Sequence, residues 1–283
     1  MDHPSHQRRR VRLGRRDQPV RLGSLTDSAV PGQHRPGAAG SCCNGERIHH
    51  AVRVALLITC VNDLLYPQTG RAVVTVLERL GVHVDFPQAQ TCCGQMQANS
   101  GYRAEALPLV RGFVDTFAAY DAIVAPSGSC VAMVRDSYPA LDPAAAEIGA
   151  RTYELSEFLI DILGVTDVGA RFPARVAYHP TCHGLRMLRL GDRPERLLRA
   201  VRDLELAGLP GADECCGFGG TFALKNSGVS GAMLTDKCAA VRVTGATVLA
   251  AADNSCLAHI GGGLSRSGAP VRALHYAEIL AAA

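Results

Sequence analysis

The chain has 283 residues, of which 47% are hydrophobic, so it is long enough for two domains with buried cores. Its net charge of +3 arises in residues 1–50, where nine arginines face four acidic residues; the remainder carries 20 basic and 22 acidic side chains. The body of the chain therefore has no basic excess for nucleic acid, and no apolar run approaches the roughly 20 residues that cross a membrane.

Residues 1–51 are predicted to be a disordered, Arg-rich extension, because they are rich in Arg, Gly, Pro and Ser and show no helical or strand period. No apolar core of a secretory signal follows the arginines, which predicts a cytoplasmic protein. Thiols stay reduced in that compartment, so most of the eleven cysteines are interpreted as metal ligands or redox groups. Cys42 and Cys43 lack the partner spacing of the later cysteines and are expected to be free thiols.

From residue 52 onward, strand and helix patterns alternate. In the first half, "VRVALLIT", "VHVDF" and "AIVAP" predict strands, while "GRAVVTVLERLG" and residues 102–120 predict helices. In the second half, "ARVAYH", "LELAGLP", "ATVLAAA" and "VRALH" predict strands, and residues 229–243 and "YAEILAAA" predict helices. This alternation indicates βαβ units with largely parallel sheets.

The predicted fold is α/β, with two tandem, pseudo-symmetric βαβ-type cysteine-rich domains. The first domain is expected over 52–138 and the second over 173–283. Residues 139–172 are expected to join them as a linker that contains one helix, "SEFLIDIL".

Eight cysteines repeat with nearly the same spacing in the two halves. Each half reads C-x31/32-C-C-G-x35/38-C, which indicates an internal duplication. Each cysteine site follows a predicted strand, and the carboxyl ends of parallel strands share one edge of a sheet. We therefore expect one four-thiol pocket per sheet. The cysteines are Cys60, Cys92, Cys93, Cys130, Cys182, Cys215, Cys216 and Cys256.

Three kinds of site compete for four such thiols. Zinc prefers C-x2-4-C knuckles, which neither half has. A redox disulfide is disfavoured because C-x-x-C is absent and a bond between adjacent cysteines is strained. An iron–sulfur cluster has several iron atoms, so neighbouring thiolates can bind different irons, and Gly94 and Gly217 let the backbone turn tightly against it. The spacing favours the cluster, with zinc in at least one half or unligated thiols as the alternatives.

These motifs resemble those of known families. The two C…CCG…C halves are similar to the CCG-type cysteine-rich domain of heterodisulfide reductases and of iron–sulfur subunits of glycolate and anaerobic glycerol-3-phosphate dehydrogenases. The lactate utilization protein A family is the closer resemblance, and it extends from about residue 53 to the C-terminus. It rests on "GRAVVTVLERLGVHVDFP", "QTCCGQ", "NSGY", "VAPSGSC", "RTYELSEFL", "ECCGFGGTF" and "CLAHIGG".

The resemblance implies an iron–sulfur, electron-transfer oxidoreductase subunit that oxidises L-lactate to pyruvate in the cytoplasm. It implies two partner subunits, a ferredoxin-like iron–sulfur protein and a third protein. Ser127 and Asp253 stand where the broader family has a fifth cysteine, so one four-cysteine [4Fe–4S] cluster per half is expected, with oxygen ligation by Asp253 as an alternative. The alternative functions are another oxidoreductase of the glycolate, glycerol-3-phosphate or heterodisulfide type, and a metal-stabilised scaffold without a redox role.

Five other side chains are candidates for function. His179, His183 and His259 lie near cluster cysteines in the sequence and are suited to proton transfer or to binding a 2-hydroxy acid. Arg103 and Arg186 are candidate carboxylate clamps by their chemistry. The stronger expectation is structural: the histidines would form hydrogen bonds to loop backbone, and the arginines would lie on the surface.

Two further features are interpreted structurally. "GFGGTF" lacks the full G-x-G-x-x-G spacing and does not follow the first strand of a unit, so it predicts a glycine turn around the cluster rather than a nucleotide site. Cys238, inside a predicted helix, is expected to be an ordinary small buried residue.

Overall fold

The computed structural model describes residues 52–283, which contain two four-stranded sheets. The predictions made for residues 1–51 lie outside the described residues. The first sheet contains β1 (Val54–Leu56), β2 (Val84–Asp85), β3 (Ala122–Ala125) and β4 (Thr152–Glu154). The second contains β5 (Arg171–His179), β6 (Arg202–Ala207), β7 (Val248–Ala251) and β8 (Arg272–His275).

Both sheets have the same topology, which confirms the α/β fold with two tandem pseudo-symmetric units. The order is β2-β1-β3-β4 in one and β6-β5-β7-β8 in the other, and every pairing is parallel. In each sheet the first strand lies between the second and third, so the order reverses there. Such a switch point opens a crevice at the carboxyl ends of the strands, where ligands bind in folds of this kind.

Helices cover the sheets and connect their strands. The α-helices are α1 (Cys60–Leu65), α2 (Pro67–Arg79), α3 (Gln95–Asn99), α4 (Arg103–Phe117), α5 (Gly128–Ala132), α6 (Tyr138–Leu141), α7 (Ala146–Ala150), α8 (Leu155–Glu157), α9 (Arg193–Arg199), α10 (Thr221–Lys225), α11 (Ser227–Val243), α12 (Asn254–Arg266) and α13 (Tyr276–Ala281). Wider π-type turns occupy Met133–Ser137, Phe158–Ile162 and Gly184–Leu188, and a 3₁₀ turn occupies Pro143–Ala145. Within residues 52–283, the helices are too short or too polar to cross a bilayer.

Helix α2 shows how local sequence sets these elements. Pro67 occupies its first turn, where a missing N–H and a fixed φ suit the helix start, so the helix begins three residues before the predicted position. Its buried side chains, which include Val73, Val76 and Leu77, form one stripe toward the core. Gly81 follows the helix with φ of 79°, a conformation that glycine adopts without steric cost, and the chain reverses into β2.

The segment predicted as a linker, 139–172, contributes to the first sheet. Its strand β4 pairs with β3 in a register that places Ile123 beside Thr152, and the predicted helix follows as α8 with its continuation to Ile162. The strand was missed because it is three residues long and its buried positions are Thr152 and Glu154. Polar residues at the inward positions conceal the apolar alternation that marks a strand.

The two halves share one hydrophobic core. Leu56 and Val124 of the first sheet belong to the same buried cluster as Tyr178 and Ala250 of the second, together with residues of α2 and α13. Within this core the Tyr276 hydroxyl donates to Glu154 Oε1 at 2.7 Å. Full burial raises the pKa of the Glu154 carboxyl to about 7. The halves are therefore held together by apolar packing and by a buried polar contact.

Candidate metal centre

The fold places all eight predicted cysteines at the carboxyl ends of strands. Cys60 begins α1, shortly after β1, and Cys182 holds the matching place after β5. The Cys-Cys-Gly turns come after β2 and β6. Cys130 in α5 follows β3, and Cys256 in α12 follows β7. Residues that are far apart in the sequence meet because parallel strands end at one edge.

A single cavity of about 370 Å³ is lined by both sets of cysteines. The expectation of one pocket per sheet is therefore wrong. The carboxyl edges of the two sheets open toward each other, and loops of both halves meet around the cavity. Gln95 Nε2 lies 3.4 Å from His183 Nε2, and Ser100 Oγ lies 3.2 Å from Thr221 Oγ1, each pair joining one half to the other. The spacing of the cysteines describes each half by itself and contains no information on how the two halves are oriented toward each other.

Within the cavity, the thiols form two quartets with the same internal order. In the first quartet, the Sγ atoms of Cys60 and Cys92 are 3.5 Å apart and those of Cys93 and Cys130 are 3.3 Å apart. The second quartet repeats these contacts, with Cys215 between Cys182 and Cys216, and Cys256 beside Cys216. In both quartets, two adjacent cysteines reach two different neighbours.

Hydrogen bonds between thiols favour a thiolate at the first cysteine of each pair. Contacts from Cys60 and Cys93 lower the pKa of the Cys92 thiol to about 2, helped by the Gly94 N–H. Contacts from Cys182 and Cys216 lower the pKa of Cys215 to about 2 in the same way. The thiolate is the form that binds metals, so these two positions are prepared for ligation.

The donating thiols respond in the opposite direction. Hydrogen bonding to Cys92 raises the pKa of Cys60, and hydrogen bonding to Cys215 raises that of Cys182. The pKa values of Cys93 and Cys216 rise too, through their bonds to neighbouring thiols and through burial. Each quartet would therefore have to release further protons when it binds a metal centre.

Glycine is required in both Cys-Cys-Gly turns. Gly94 has φ of 79° and Gly217 has φ of 90°, in the left-handed region that residues with a side chain rarely adopt. The N–H of each glycine points at the thiol two residues earlier, at 3.5 Å for Gly94 and 3.4 Å for Gly217. A Cβ on Gly217 would lie 2.8 Å from the carbonyl oxygen of Ser230. The tight turn and the close helix both exclude a side chain there.

A threonine in a strained conformation precedes the first cysteine of each quartet. Thr59 has φ of 68° and Thr181 has φ of 63°, and both are buried. Positive φ is a genuine outlier for a β-branched residue, and such strain is concentrated at functional sites. It occurs at matching positions in the two halves and aims Cys60 and Cys182 into the cavity. Nothing in the residue pattern predicted it.

Asp253 links the two halves through hydrogen bonds. Its Oδ2 accepts from the N–H of Ser129 at 2.8 Å, and its Oδ1 accepts from the hydroxyls of Ser255 at 3.0 Å and Ser127 at 3.4 Å. Two of these three donors belong to the other half. The carboxylate lines the cavity, but its oxygens already hold the halves together, so the arrangement gives no support to ligation by Asp253.

The three candidate histidines have different surroundings. His179 is buried against the second quartet, with a ring nitrogen within 4.8 Å of the Sγ atoms of Cys216 and Cys256, and burial lowers its pKa to about 4. His183 lines the cavity, and its Nδ1 lies 3.6 Å from Cys182 Sγ. His259 lies outside the cavity lining and contacts the Ser230 hydroxyl at 3.4 Å.

The remaining candidates do not line the cavity. Arg103 donates to the carbonyl of Ala140 and Arg186 to that of Asp213, both at exposed positions. Neither arrangement forms a carboxylate clamp beside the thiols. Cys238 is buried in α11 with its thiol 3.7 Å from the carbonyl of Ile260, which confirms its interpretation as a core residue.

The chemistry of the donors fits a sulfur-ligated metal centre in each half. Each quartet supplies four thiols, a glycine cradle and a backbone N–H directed at sulfur. The second quartet has in addition the buried ring of His179, whose two nitrogens have no hydrogen-bond partner among the described residues. An unpaired buried polar group of this kind is expected where a bound group completes the contacts.

Comparison with known proteins agrees with this site. A model of the CCG "Cysteine-rich domain" family matches residues 54–135 and 176–261. Proteins named Lactate utilization protein A are 47% identical in Geobacillus kaustophilus, over 81% of this chain and 98% of the relative, and 43% identical in Oceanobacillus iheyensis, over 81% and 96%. Among solved structures, a glutamate racemase from Francisella tularensis matches 82% of this chain and 78% of its own chain, with 8% sequence identity and a TM-score of 0.35. A structural similarity this weak supports no conclusion.

The chain is thus a tandem CCG cysteine-rich domain protein, with both copies of the motif lining one cavity. The relatives align over nearly their entire length and at high identity. The chain belongs to the lactate utilization protein A family.

Proposed function

We propose that this chain is an iron–sulfur electron-transfer subunit of a cytoplasmic complex that oxidises L-lactate to pyruvate. The observation that carries the proposal is the meeting of two equivalent cysteine quartets in one cavity. The names of the curated relatives supply the substrate. A bound iron–sulfur cluster would supply one-electron transfer at this place.

The arrangement of the thiols supports a cluster over a single metal ion. Cys92 and Cys93 are adjacent, yet Cys92 contacts Cys60 and Cys93 contacts Cys130. A cluster offers separate metal atoms to adjacent thiolates, whereas structural zinc is usually held by C-x2-4-C knuckles, which neither half has. The four-iron form, with one cluster per half, is the simplest cofactor for four cysteines.

The other side chains around the cavity support a role in electron transfer without substrate binding. Apart from the cysteines, the titratable groups that line it in the described part of the chain are His183 and Asp253, and no Lys or Arg is among them. A lactate carboxylate would need such a cation or another anion site. We therefore assign lactate binding to a partner protein.

The exposure of the thiols supports transfer to and from partners. Cys60 is exposed, whereas Cys93 and Cys130 of the same quartet are buried. The cavity lining includes Met96 and Leu224, which are 57% and 83% exposed and add apolar surface around it. Exposed apolar surface near a site is typical of a protein interface. The proposed partners are a ferredoxin-like iron–sulfur protein and a third subunit.

Metal analysis of anaerobically purified protein tests the cofactor. We expect brown protein with about eight irons per chain, since two quartets would each hold a four-iron cluster. Cys93→Ser and Cys216→Ser should each lose about half of the iron, whereas Cys238→Ser, which alters a buried thiol outside the cavity, should lose none. Zinc without iron in both halves after reconstitution would refute the proposal.

Growth tests the pathway. Deletion of the gene should abolish growth on L-lactate and leave growth on pyruvate intact, and the wild-type gene should restore it. The Cys93→Ser and Cys216→Ser genes should fail to restore growth, while Cys238→Ser should succeed. Normal growth of the deletion strain on lactate would exclude this substrate while leaving the iron analysis valid.

A further inference from the structure

The buried ring of His179 is the feature that the cysteine pattern leaves unexplained. It is the last residue of β5, its side chain is 1% exposed, and neither ring nitrogen has a partner among residues 52–283. A ring nitrogen lies within 4.8 Å of the thiols of Cys216 and Cys256. Leaving a buried polar group unpaired is destabilising, so an apolar residue would be more stable here unless the ring has a partner.

The first half has such an apolar residue at the matching position. Leu57 precedes Cys60 by three residues, as His179 precedes Cys182. His179 is the last residue of β5, and Leu57 directly follows β1, the corresponding strand of the first sheet. Leu57 is fully buried in one apolar cluster with Cys93 and Cys130. At equivalent positions beside the two quartets, the first half therefore has the isobutyl side chain of Leu57 and the second half has the imidazole of His179.

A second basic group is buried behind the second quartet. Lys237 of α11 is 1% exposed and donates to the carbonyl of Gly211 at 2.5 Å. The same helix carries Ser230, whose hydroxyl donates to the carbonyl of Gly217 in the Cys-Cys-Gly turn at 2.8 Å. The corresponding helix of the first half, α4, buries Ala106, Val110, Phe113 and Phe117. A buried amino group thus lies near the second quartet, with Glu214 and Asp213 close to it, whereas apolar carbon lies near the first.

We propose that His179 donates a ring N–H to a sulfur of the second half's centre, and that this centre consequently has the higher reduction potential of the two. The inference rests on the proposed iron–sulfur function. A neutral imidazole has one N–H donor, and hydrogen bonds to cluster sulfurs or thiolates stabilise the extra negative charge of the reduced state.

The consequence is a direction for electrons inside the chain. If both quartets held clusters, a single electron would pass from the first centre, which would be oxidised, to the second, which would be reduced, with no proton or covalent bond changed. Electrons would then enter at the first half and leave from the second. The two halves, which arose by duplication, would then have different roles in electron transfer.

A potentiometric titration of the anaerobically purified full chain, followed by electron paramagnetic resonance, tests the proposal. When the protein is half reduced, its electron paramagnetic resonance signal should come from the second centre. That signal should therefore be lost in Cys216→Ser and retained in Cys93→Ser. His179→Leu, which copies Leu57, should lower the potential of that centre by about 59 mV or more, a tenfold change in the equilibrium constant of a one-electron couple. His83→Leu, which changes an exposed histidine beside β2 that lies outside the cavity lining, should leave the potential unchanged.

A conservative variant separates the hydrogen bond from packing. His179→Gln retains an N–H donor, so its potential should lie nearer to the wild type than that of His179→Leu. If His179→Leu loses iron, the smaller apolar variant His179→Ala replaces it, and the potential of the second centre should fall in the same way. An unchanged potential in His179→Leu with full iron, or a half-reduced signal that survives in Cys216→Ser, would overturn the inference and leave the proposed function intact. Wild-type protein without iron would refute both.

Discussion

Replacing Glu154 with glutamine should stabilise the protein at alkaline pH. The carboxyl is fully buried in the core between the halves, where it accepts hydrogen bonds from Tyr276 and Ser156, and burial raises its pKa from 4.5 to about 7. The folded state therefore binds more protons than the unfolded state between these two values. The contribution of Glu154 to stability is fully present below pH 4.5 and is lost as the pH rises through 7.

The pKa difference sets the size of the effect. One pKa unit corresponds to about 1.4 kcal/mol, so ionising Glu154 should cost the wild type about 2 to 3 kcal/mol between pH 5 and pH 8. Glutamine has the same shape and does not titrate, and the Tyr276 hydroxyl can turn to accept from its amide.

Urea unfolding of wild type and Glu154→Gln at pH 5 and pH 8 measures the effect. The quantity compared is the difference between variant and wild type, because buried histidines titrate over a neighbouring range with the opposite sign. Glu147→Gln, on an exposed position of α7, controls for the loss of one charge. A Glu154→Gln difference that is the same at both pH values would refute the reasoning.

Three further predictions concern the glycine turn, the contact between the halves and acid stability. Gly217→Ala should lose metal from the second quartet and lower the melting temperature, since its Cβ would clash with helix α11, whereas Gly231→Ala, which meets open space, should do neither. Asp253→Ala should cost about 1–3 kcal/mol in urea unfolding by leaving the buried Ser129 N–H without an acceptor; no loss would show that water replaces the carboxylate. Burial lowers the pKa of His275 to about 4, so its contribution to stability is present above pH 6.5 and lost as pH falls through 4. His275→Asn should therefore gain about 2 kcal/mol relative to wild type between pH 7.5 and pH 5, and equal losses in both proteins would contradict this.

The repeat and its cysteines were predictable because their signals are local. Strands such as Val54–Leu56 and Val248–Ala251 are apolar runs bounded by turn residues, and each is followed at a short distance by its cysteine. The rule that parallel strands end at one edge then brings distant thiols together within each half. Only the edge strand β4 escaped this reasoning, since its inward side chains are polar.

The features that escaped prediction depend on contacts between distant residues. The single cavity depends on how the sheets face each other, which the spacing within a half does not encode. The burial of Lys237 was hidden because lysine in a helix is normally exposed, and its neighbour Cys238 attracted attention as the buried position. The strain at Thr59 and Thr181 appears only in backbone angles, and the Thr-Cys dipeptide does not mark it, because Thr91 precedes Cys92 without a positive φ.

Where the two halves meet, the structure requires them to differ. Ser127 and Asp253 occupy equivalent positions, three residues before Cys130 and Cys256, and they contact each other across the interface at 3.4 Å. Two aspartates there would bring two buried carboxylates together, and one of them could not ionise. Two serines would leave the buried N–H of Ser129 without its carboxylate acceptor. With one serine and one aspartate, the carboxylate has its donors and the Ser129 N–H has its acceptor. A duplicated chain whose halves pack against each other is therefore more stable when these two positions differ. The different residues beside the two quartets, Leu57 and His179, are a second case in which equivalent positions have diverged.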